Sequence, residues 1–255
     1  MSDCRRVPRV YVDSIYHIIR ATEHWRELKD ELTEDWAKRT ADMGRGFDQK
    51  GDFEIHLPDM EIVGRAQTIV ADVVWHLMAA LDNMVYRASV ENCGDIDERT
   101  TKFPIENDSK GFDENARRHL RYLSDRQVKF IKALQPFNGN CLLGPMKDMS
   151  NSTKHRELLP LTDAGTTFVY YAPMSDSGKY PKHRIVPQER GQALFLKNEE
   201  PYRASIQGEH DAVSDLERMI IHVLEIIDNA EHLAMPDFTG TISVHNQLTG
   251  ETAEI

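Results

Sequence analysis

The amino-acid sequence predicts an α+β fold that is mainly a helical bundle, with a small antiparallel β insertion and a C-terminal helix. Apolar residues recur at helical spacing through residues 10–161, and the same spacing returns at residues 210–235. Between them, residues 162–209 are rich in β-branched and aromatic residues and are interrupted by proline and glycine. We therefore expect a single domain over residues 1–255, in which residues 236–255 form a C-terminal tail.

Two long helices are expected to form the middle of the bundle. The first covers about residues 10–39, where large apolar side chains recur at steps of three, four and seven residues: Ile15, Ile18, Trp25, Leu28, Leu32 and Trp36. The second covers residues 65–89 and is apolar on nearly every side, which is typical of a buried central helix. Residues 44–64 contain glycines, Pro58 and an alternating segment, so they predict a loop with a short strand or hairpin.

Shorter elements follow the central helix. Residues 113–122 and 124–134 predict two helices, and Ser124 is a suitable N-cap for the second. A short helix is expected at residues 143–149, and another helix after Asn151. Strands are expected within the β insertion and at its end, in the segments TTFVYYA, QALFLKN and YRASIQ.

The composition favours a soluble protein of the reducing cytoplasm. Cys4, Cys93 and Cys141 are far apart and lack C-x-x-C spacing, which argues against a disulfide scaffold and against a zinc knuckle. No apolar run approaches the roughly 18 residues of a membrane-spanning helix, and the first residues lack the apolar region of a secretory signal. We therefore expect no attachment to a membrane.

The charge balance argues against a protein that coats nucleic acid. The chain has 42 Asp and Glu against 31 Lys and Arg, a net charge of −11, whereas phosphate binding requires a basic surface. Basic residues are concentrated in residues 117–132. This segment is typical of a solvated helix face, and it leaves a local contact with RNA open.

The central helix carries a pair of polar residues whose side chains are able to bind a metal or transfer a proton. The sequence lacks a P-loop, G-x-G-x-x-G, H-E-x-x-H and G-x-S-x-G. Asp72 and His76 are four residues apart and share one helix face, as in a metal site or a proton-transfer pair. A metal needs three or four ligands, so we expect none. Instead, we expect Asp72 and Asp82 to be buried and to accept hydrogen bonds from basic groups, because an unpaired buried charge is unstable.

A second polar segment is SNSTKHR. Asn151 or Ser152 is a suitable N-cap, which would place Lys154, His155 and Arg156 in the first turn of a helix, where the dipole disfavours cations. A compensating negative charge is therefore expected. Two sources stay open: the carboxylates of the central helix, giving a structural network of Asp72, Asp82, Asn151, Lys154, His155 and Arg156, or a bound phosphate.

Four segments together resemble an uncharacterised family of bacterial and phage proteins. That family has the pattern GDxLHNLRSALDHL, then FPI, then QPY, then L-x-x-L-x-N-x-D-K-H-R. The corresponding segments here, in the same order, are ADVVWHLMAALDNMVY (residues 71–86), FPI (103–105), QPF (135–137) and MKDMSNSTKHR (146–156). The resemblance covers the helical part best and the β-rich part loosely.

The RSALDH segment of that family is similar to the R-x4-H motif of the HEPN superfamily of helical bundles. The resemblance implies an Arg and a His that act on RNA phosphate, often across a dimer interface. In this chain Met78 stands in place of the Arg and Asn83 in place of the His, whereas Asp72, Leu81 and Asp82 are kept. Methionine cannot stabilise a phosphorane and asparagine cannot shuttle a proton, so we expect this motif to be catalytically silent.

Three functions follow from these observations. The first is a non-enzymatic helical binding protein that forms a homodimer and has a possible protein partner. The second is a HEPN-like ribonuclease or other phosphate-directed enzyme that uses His155 and Arg156 with Asp72, His76 or Asp82. The third is a metal-dependent helical-bundle enzyme that uses Asp72 and His76. We favour the first, without a cofactor, because no complete catalytic set is visible in the sequence.

Overall fold

The protein is mostly helical. The computed structural model describes residues 11–46, 60–154, 161–163, 204–206, 210–234, 240–245 and 252–254. The α-helices in this part of the chain are α1 Val12–Gly46, α2 Met60–Cys93, α3 Ser109–His119, α4 Asp125–Ala133, α5 Leu143–Lys154 and α6 Ala212–Ala234. Short 3₁₀ turns lie at Glu98–Thr100 and Pro136–Asn138. The prediction of a mainly helical bundle is confirmed.

Helix α2 is the centre of the core. Val73, Leu77 and Leu81 are fully buried, and α1, α5 and α6 all pack against the helix. The predicted central helix is therefore confirmed. Helix α1 extends to Gly46 and α2 begins at Met60, so the prediction of a loop was wrong at both ends of residues 44–64. The strand or hairpin expected just before α2 lies outside the described residues.

Helices α1 and α2 run antiparallel. Arg87 of α2 makes an ion pair with Asp13 near the start of α1. Arg65, near the other end of α2, contacts Glu27 at 3.0 Å and Glu31 at 2.7 Å. Exposed ion pairs of this kind contribute little stability each. Their positions nevertheless fix the register, because the two contacts lie at opposite ends of the shared interface.

Helix α6 also runs antiparallel to α1, on another side of that helix. The Trp25 indole N–H donates to the backbone oxygen of Val213 at 2.8 Å, at the start of α6. Tyr11, at the start of α1, lines a small cavity with Ala230 and Leu233 near the end of α6. These two contacts place Ile19 at about the level of the middle of α6.

Capping side chains define where α3 and α4 begin. The Asp108 carboxylate accepts from the Gly111 N–H at 2.8 Å, so α3 begins at Ser109, earlier than predicted. Ser124 and Gln127 form a capping box at the start of α4, which confirms the predicted N-cap.

Helix α5 is continuous where the sequence predicts two helices. Its start is capped by Asn140, whose side-chain oxygen accepts from the N–H groups of Leu142 at 3.1 Å and Leu143 at 3.2 Å. Met146, Met149 and Ser150 are buried on the inner face. The predicted break at Asn151 was wrong, because packing along this face carries the helix through a residue that has only a local preference for capping.

The described strands are short. Strands β1 Leu161–Asp163, β2 Ala204–Ile206 and β3 His210–Asp211 form an antiparallel sheet in the order β1-β2-β3, with Thr162 opposite Ser205. Strand β2 lies in the predicted YRASIQ segment. The other two predicted strands of the insertion lie outside the described residues. In the tail, β4 Ser243–His245 pairs with β5 Thr252–Glu254.

One part of the central helix meets the length and composition criterion for a membrane span. This segment, Arg65–Cys93, has 29 residues, and half of its most apolar window is buried inside the protein. The expectation that no segment would meet the criterion was therefore wrong. The core helix of a soluble protein meets it as well, so the finding is weak support for a membrane.

We expect His222 to make stability depend on pH. Burial lowers its pKa from 6.5 to about 4, and its ring nitrogen lies 2.7 Å from the Asn140 amide, which donates to a neutral imidazole. Stabilisation is thus complete above about pH 6.5 and is lost as the pH falls towards about 4. The expected loss is about 3 kcal/mol. Urea denaturation at several pH values should show this loss in the wild type and a weaker dependence of the free energy of unfolding on pH in His222→Gln. An equal dependence on pH in the two proteins would contradict the prediction.

Candidate functional site

The FPI segment is held by the central helix. The Phe103 N–H donates to the Asp82 carboxylate at 2.8 Å, and Phe103 and Ile105 are buried. Asp82 is half-buried. A carboxylate that accepts from a backbone N–H makes a stronger hydrogen bond than a neutral acceptor does. Asp82 therefore fixes the path of the chain over α2.

The QPF segment holds the same stretch from the other side. The Gln135 side chain is fully buried, and its amide nitrogen donates to the backbone oxygens of Pro104 and Ile131, both at 3.0 Å. Its oxygen accepts from the Glu106 N–H at 2.8 Å. The buried amide is thus bonded at both ends, as a polar group in the core must be.

The fourth segment reaches the same place through Lys147 of α5. Its ammonium group donates to the Ile105 backbone oxygen and lies 3.3 Å from the Glu106 carboxylate. All four segments of the family resemblance therefore meet around residues 103–106. The bonds that join them end mainly on backbone groups, which is typical of a network that stabilises a fold.

The positions of the R-x4-H motif lie on α2. Met78 is partly buried and packs against the core, and Asn83 is partly exposed. Asp72, by contrast, is exposed. The expectation that Asp72 is a buried carboxylate was wrong, because the helices that cover α2 leave this position at the rim of the α1–α2 interface.

His76 belongs to a cluster that the sequence analysis did not anticipate. Its Nδ1 lies 3.0 Å from Nδ1 of His17 on α1, a distance at which one ring donates and the other accepts. The His24 ring stacks on His76 at 5.6 Å between centroids, and Trp75 meets His76 edge-on at 4.8 Å. His17 and His24 are seven residues apart, so a shared face was readable in the sequence, but their meeting with His76 depends on the α1–α2 register.

The cluster favours neutral imidazoles. Burial lowers the pKa of His76, and the nearby His17, His24 and Arg20 lower it further, whereas Asp72 raises it. Burial also lowers the pKa of His17, against a smaller opposite effect of Asp13. The contact between His17 and His76 requires at least one neutral ring, because an imidazolium has no lone pair with which to accept a hydrogen bond.

The described side chains do not form a group of three or more His, Cys, Asp or Glu that could hold a metal ion. Asp72 and His76 provide two of the three or four ligands that a protein metal site requires. The arrangement in this part of the chain therefore does not support the metal-dependent enzyme, and we do not propose it.

The basic segment is placed differently from its prediction. Lys154 is the last residue of α5, at the helix end where the dipole favours a cation, so the expected first-turn position was wrong. Asn151 is exposed. His155 and Arg156 lie outside the described residues, and so does the predicted contact of either residue with Asp72 or Asp82, which stays a prediction.

We expect unequal effects when the two aspartates of α2 are replaced. Asp82→Ala removes the acceptor of the Phe103 N–H and should lower the free energy of unfolding by about 1–3 kcal/mol. Asp72→Ala changes an exposed residue on the same helix and should stay within about 0.5 kcal/mol of wild type. Urea denaturation of both variants measures the difference, and equal losses would argue against the anchoring role of Asp82.

Comparison with protein-family models, curated proteins and solved structures gave no match to this chain. The functional argument therefore rests on the residues and contacts described above. The HEPN-like character of the bundle stays a prediction from the resemblance of the four segments.

Proposed function

We propose that the protein is a non-enzymatic helical binding protein and that it assembles as a homodimer through the exposed face shared by α1 and α6. The observation that carries the proposal is a set of large apolar side chains that remain exposed on this face. They are Val12, Tyr16, Ile19, Ile221 and Leu224. Tyr16 is 63% exposed and Ile221 is 51% exposed.

We assign these side chains to one surface, which we call the α1–α6 face. Val12, Tyr16 and Ile19 follow the spacing of a single helix stripe. The antiparallel packing of α1 and α6 places Ile19 at about the level of Ile221, and Tyr16 at about the level of Leu224. A contiguous apolar surface of this kind is typical of a protein–protein interface.

The charges beside the α1–α6 face favour a second copy as its partner. A twofold axis running along the seam would lay α1 over the partner's α6 at the same level. The Trp25–Val213 contact places Arg26 near the start of α6, within about one helical turn of the level of Glu217. Both side chains are exposed. Each copy would therefore present a cation to an anion of the other.

Helix α5 and the segments around residues 103–106 support the non-enzymatic part of the proposal. Asp82 and Gln135, which the family resemblance selects, are occupied in bonds to backbone groups, and so is Lys147 beside them on α5. Met78 supplies neither a charge nor a proton at the position of the expected Arg. These assignments favour binding over chemistry at the motif.

We expect wild-type protein to have about twice the 29.3 kDa chain mass in light scattering at micromolar concentration. Ile221→Asp should weaken dimerisation at least about tenfold, because it places a charge in the apolar seam. Asn151→Asp adds the same charge at an exposed position outside the face and should leave the mass unchanged. A wild-type protein that stays monomeric at tens of micromolar would refute the proposal.

A charge exchange tests the twofold arrangement itself. Arg26→Glu should weaken the dimer a few-fold at low salt, and added salt should then recover part of the affinity, since a repulsion between two carboxylates replaces the rim attraction. Adding Glu217→Arg to that variant should restore the affinity. Failure of the second substitution to restore it would show that the two copies pair with a different geometry.

We expect purified protein not to cleave RNA through the Met78 and Asn83 positions. Labelled RNA incubated with wild type and with Asn83→Ala should stay intact in both samples. Cleavage that is lost in Asn83→Ala would contradict the silent motif. Cleavage that is kept in Asn83→Ala and lost in His155→Ala would favour the phosphate-directed enzyme instead.

A further inference from the structure

Three histidines from two helices meet at the interface of α1 and α2, beside the exposed Trp75. His17 and His24 come from α1, and His76 of α2 lies between them. The ring centroids are 5.3 Å apart for His17 and His76 and 5.6 Å apart for His24 and His76. No other pair of described helices is joined by three histidine rings in contact.

This cluster can hold little positive charge. Arg20 is a permanent cation that acts on His76 from α1. A proton added to His76 would therefore face this cation and the adjacent rings of His17 and His24. The 3.0 Å contact between His17 and His76 needs a lone pair on one of the two Nδ1 atoms, so it persists when one ring is protonated and is lost when both rings are protonated.

The nearby carboxylates offset this charge only in part. Asp72 acts on His76 from the same helix but is exposed, and Asp13 acts on His17 while it is paired with Arg87. Glu27 lies 3.6 Å from His24, and it is also bonded to Arg65. The charged and titratable side chains that act on His76 are thus those of α1 and of Asp72 on α2, whereas α5 and α6 pack against α2 elsewhere.

We propose that the cluster of His17, His24 and His76 makes the α1–α2 interface acid-sensitive, so that protonation of both His76 and His17 beside Arg20 loosens α1 from α2. Two like charges then face each other where the neutral rings shared a hydrogen bond. The device depends on the α1–α2 interface alone. It stands whether or not the protein dimerises through the α1–α6 face.

The pH range follows from the direction of the pKa shifts. The folded protein holds the pKa values of His76 and His17 below the ordinary 6.5 of histidine. Stabilisation by the neutral cluster is therefore complete above about pH 6.5, and it is lost as the pH falls through the lower values of the folded state. His222 acts in the same direction, so a variant that lacks only the cluster is needed to separate the two effects.

The experiment follows two signals from pH 8 to pH 5 in the intact protein. Fluorescence of Trp75 should fall as the adjacent His76 takes up a proton, and Trp75→Phe identifies this part of the signal. Hydrogen exchange of the α1 amides, corrected for its intrinsic pH dependence, should rise by about tenfold as the contact between the two helices weakens. His232→Gln alters an exposed histidine of α6 outside the cluster and should behave as wild type.

His76→Gln should abolish both changes. His17→Gln removes one neighbouring titratable ring and leaves His76 in place, so the fluorescence midpoint should move up towards pH 6.5; it serves as the test if His76→Gln does not fold. Exchange of α1 that is equal at pH 7.5 and pH 5.5 would overturn the proposal. So would an acid-induced increase that persists in His76→Gln, or a midpoint that His17→Gln leaves unchanged.

Discussion

The structure depends on one constraint: the central helix α2 is apolar on almost every side and must be covered on almost every side. A single neighbouring helix can bury only one stripe of it, so α1, α5 and α6 pack against different sides of α2. Residues as far apart in the chain as Leu28, Met146 and Val223 then share one core. Removal of apolar surface from water supplies most of the driving force for this arrangement.

Apolar burial does not by itself fix register or chain path, and polar side chains supply that information. Arg65 and Arg87 set the direction of α1 by contacts at opposite ends of the interface. Asp82 and Gln135 hold the segment that crosses from α2 to α3, by hydrogen bonds to backbone groups that would otherwise lose their partners. Residues Asp82 and Gln135, which the family resemblance selects, thus meet a structural requirement of the fold.

Helix α1 has a different environment on each of its sides. One side is in the core, a second carries His17 and His24 against α2, and the outer side exposes Val12, Tyr16 and Ile19 beside α6. The proposed dimer contact and the proposed acid-sensitive contact therefore lie on one helix but on separate faces. A change in the packing of α1 on α2 would also displace the side chains that form the α1–α6 face.

The sequence by itself determined the long helices, the central position of α2 and the cap at Ser124, since periodicity and capping are local properties that survive in the fold. It placed Asp82 in a polar network but assigned Asp72 the same role, although only tertiary packing decides which carboxylate of a helix reaches a neighbour. The prediction of a helix break at Asn151 was wrong for the same reason. A local capping preference does not show whether the helix continues because its inner face is buried. His17, His24 and His76 are visible as residues in the sequence, but His17 and His76 are 59 positions apart and meet only because α1 and α2 pair in one register.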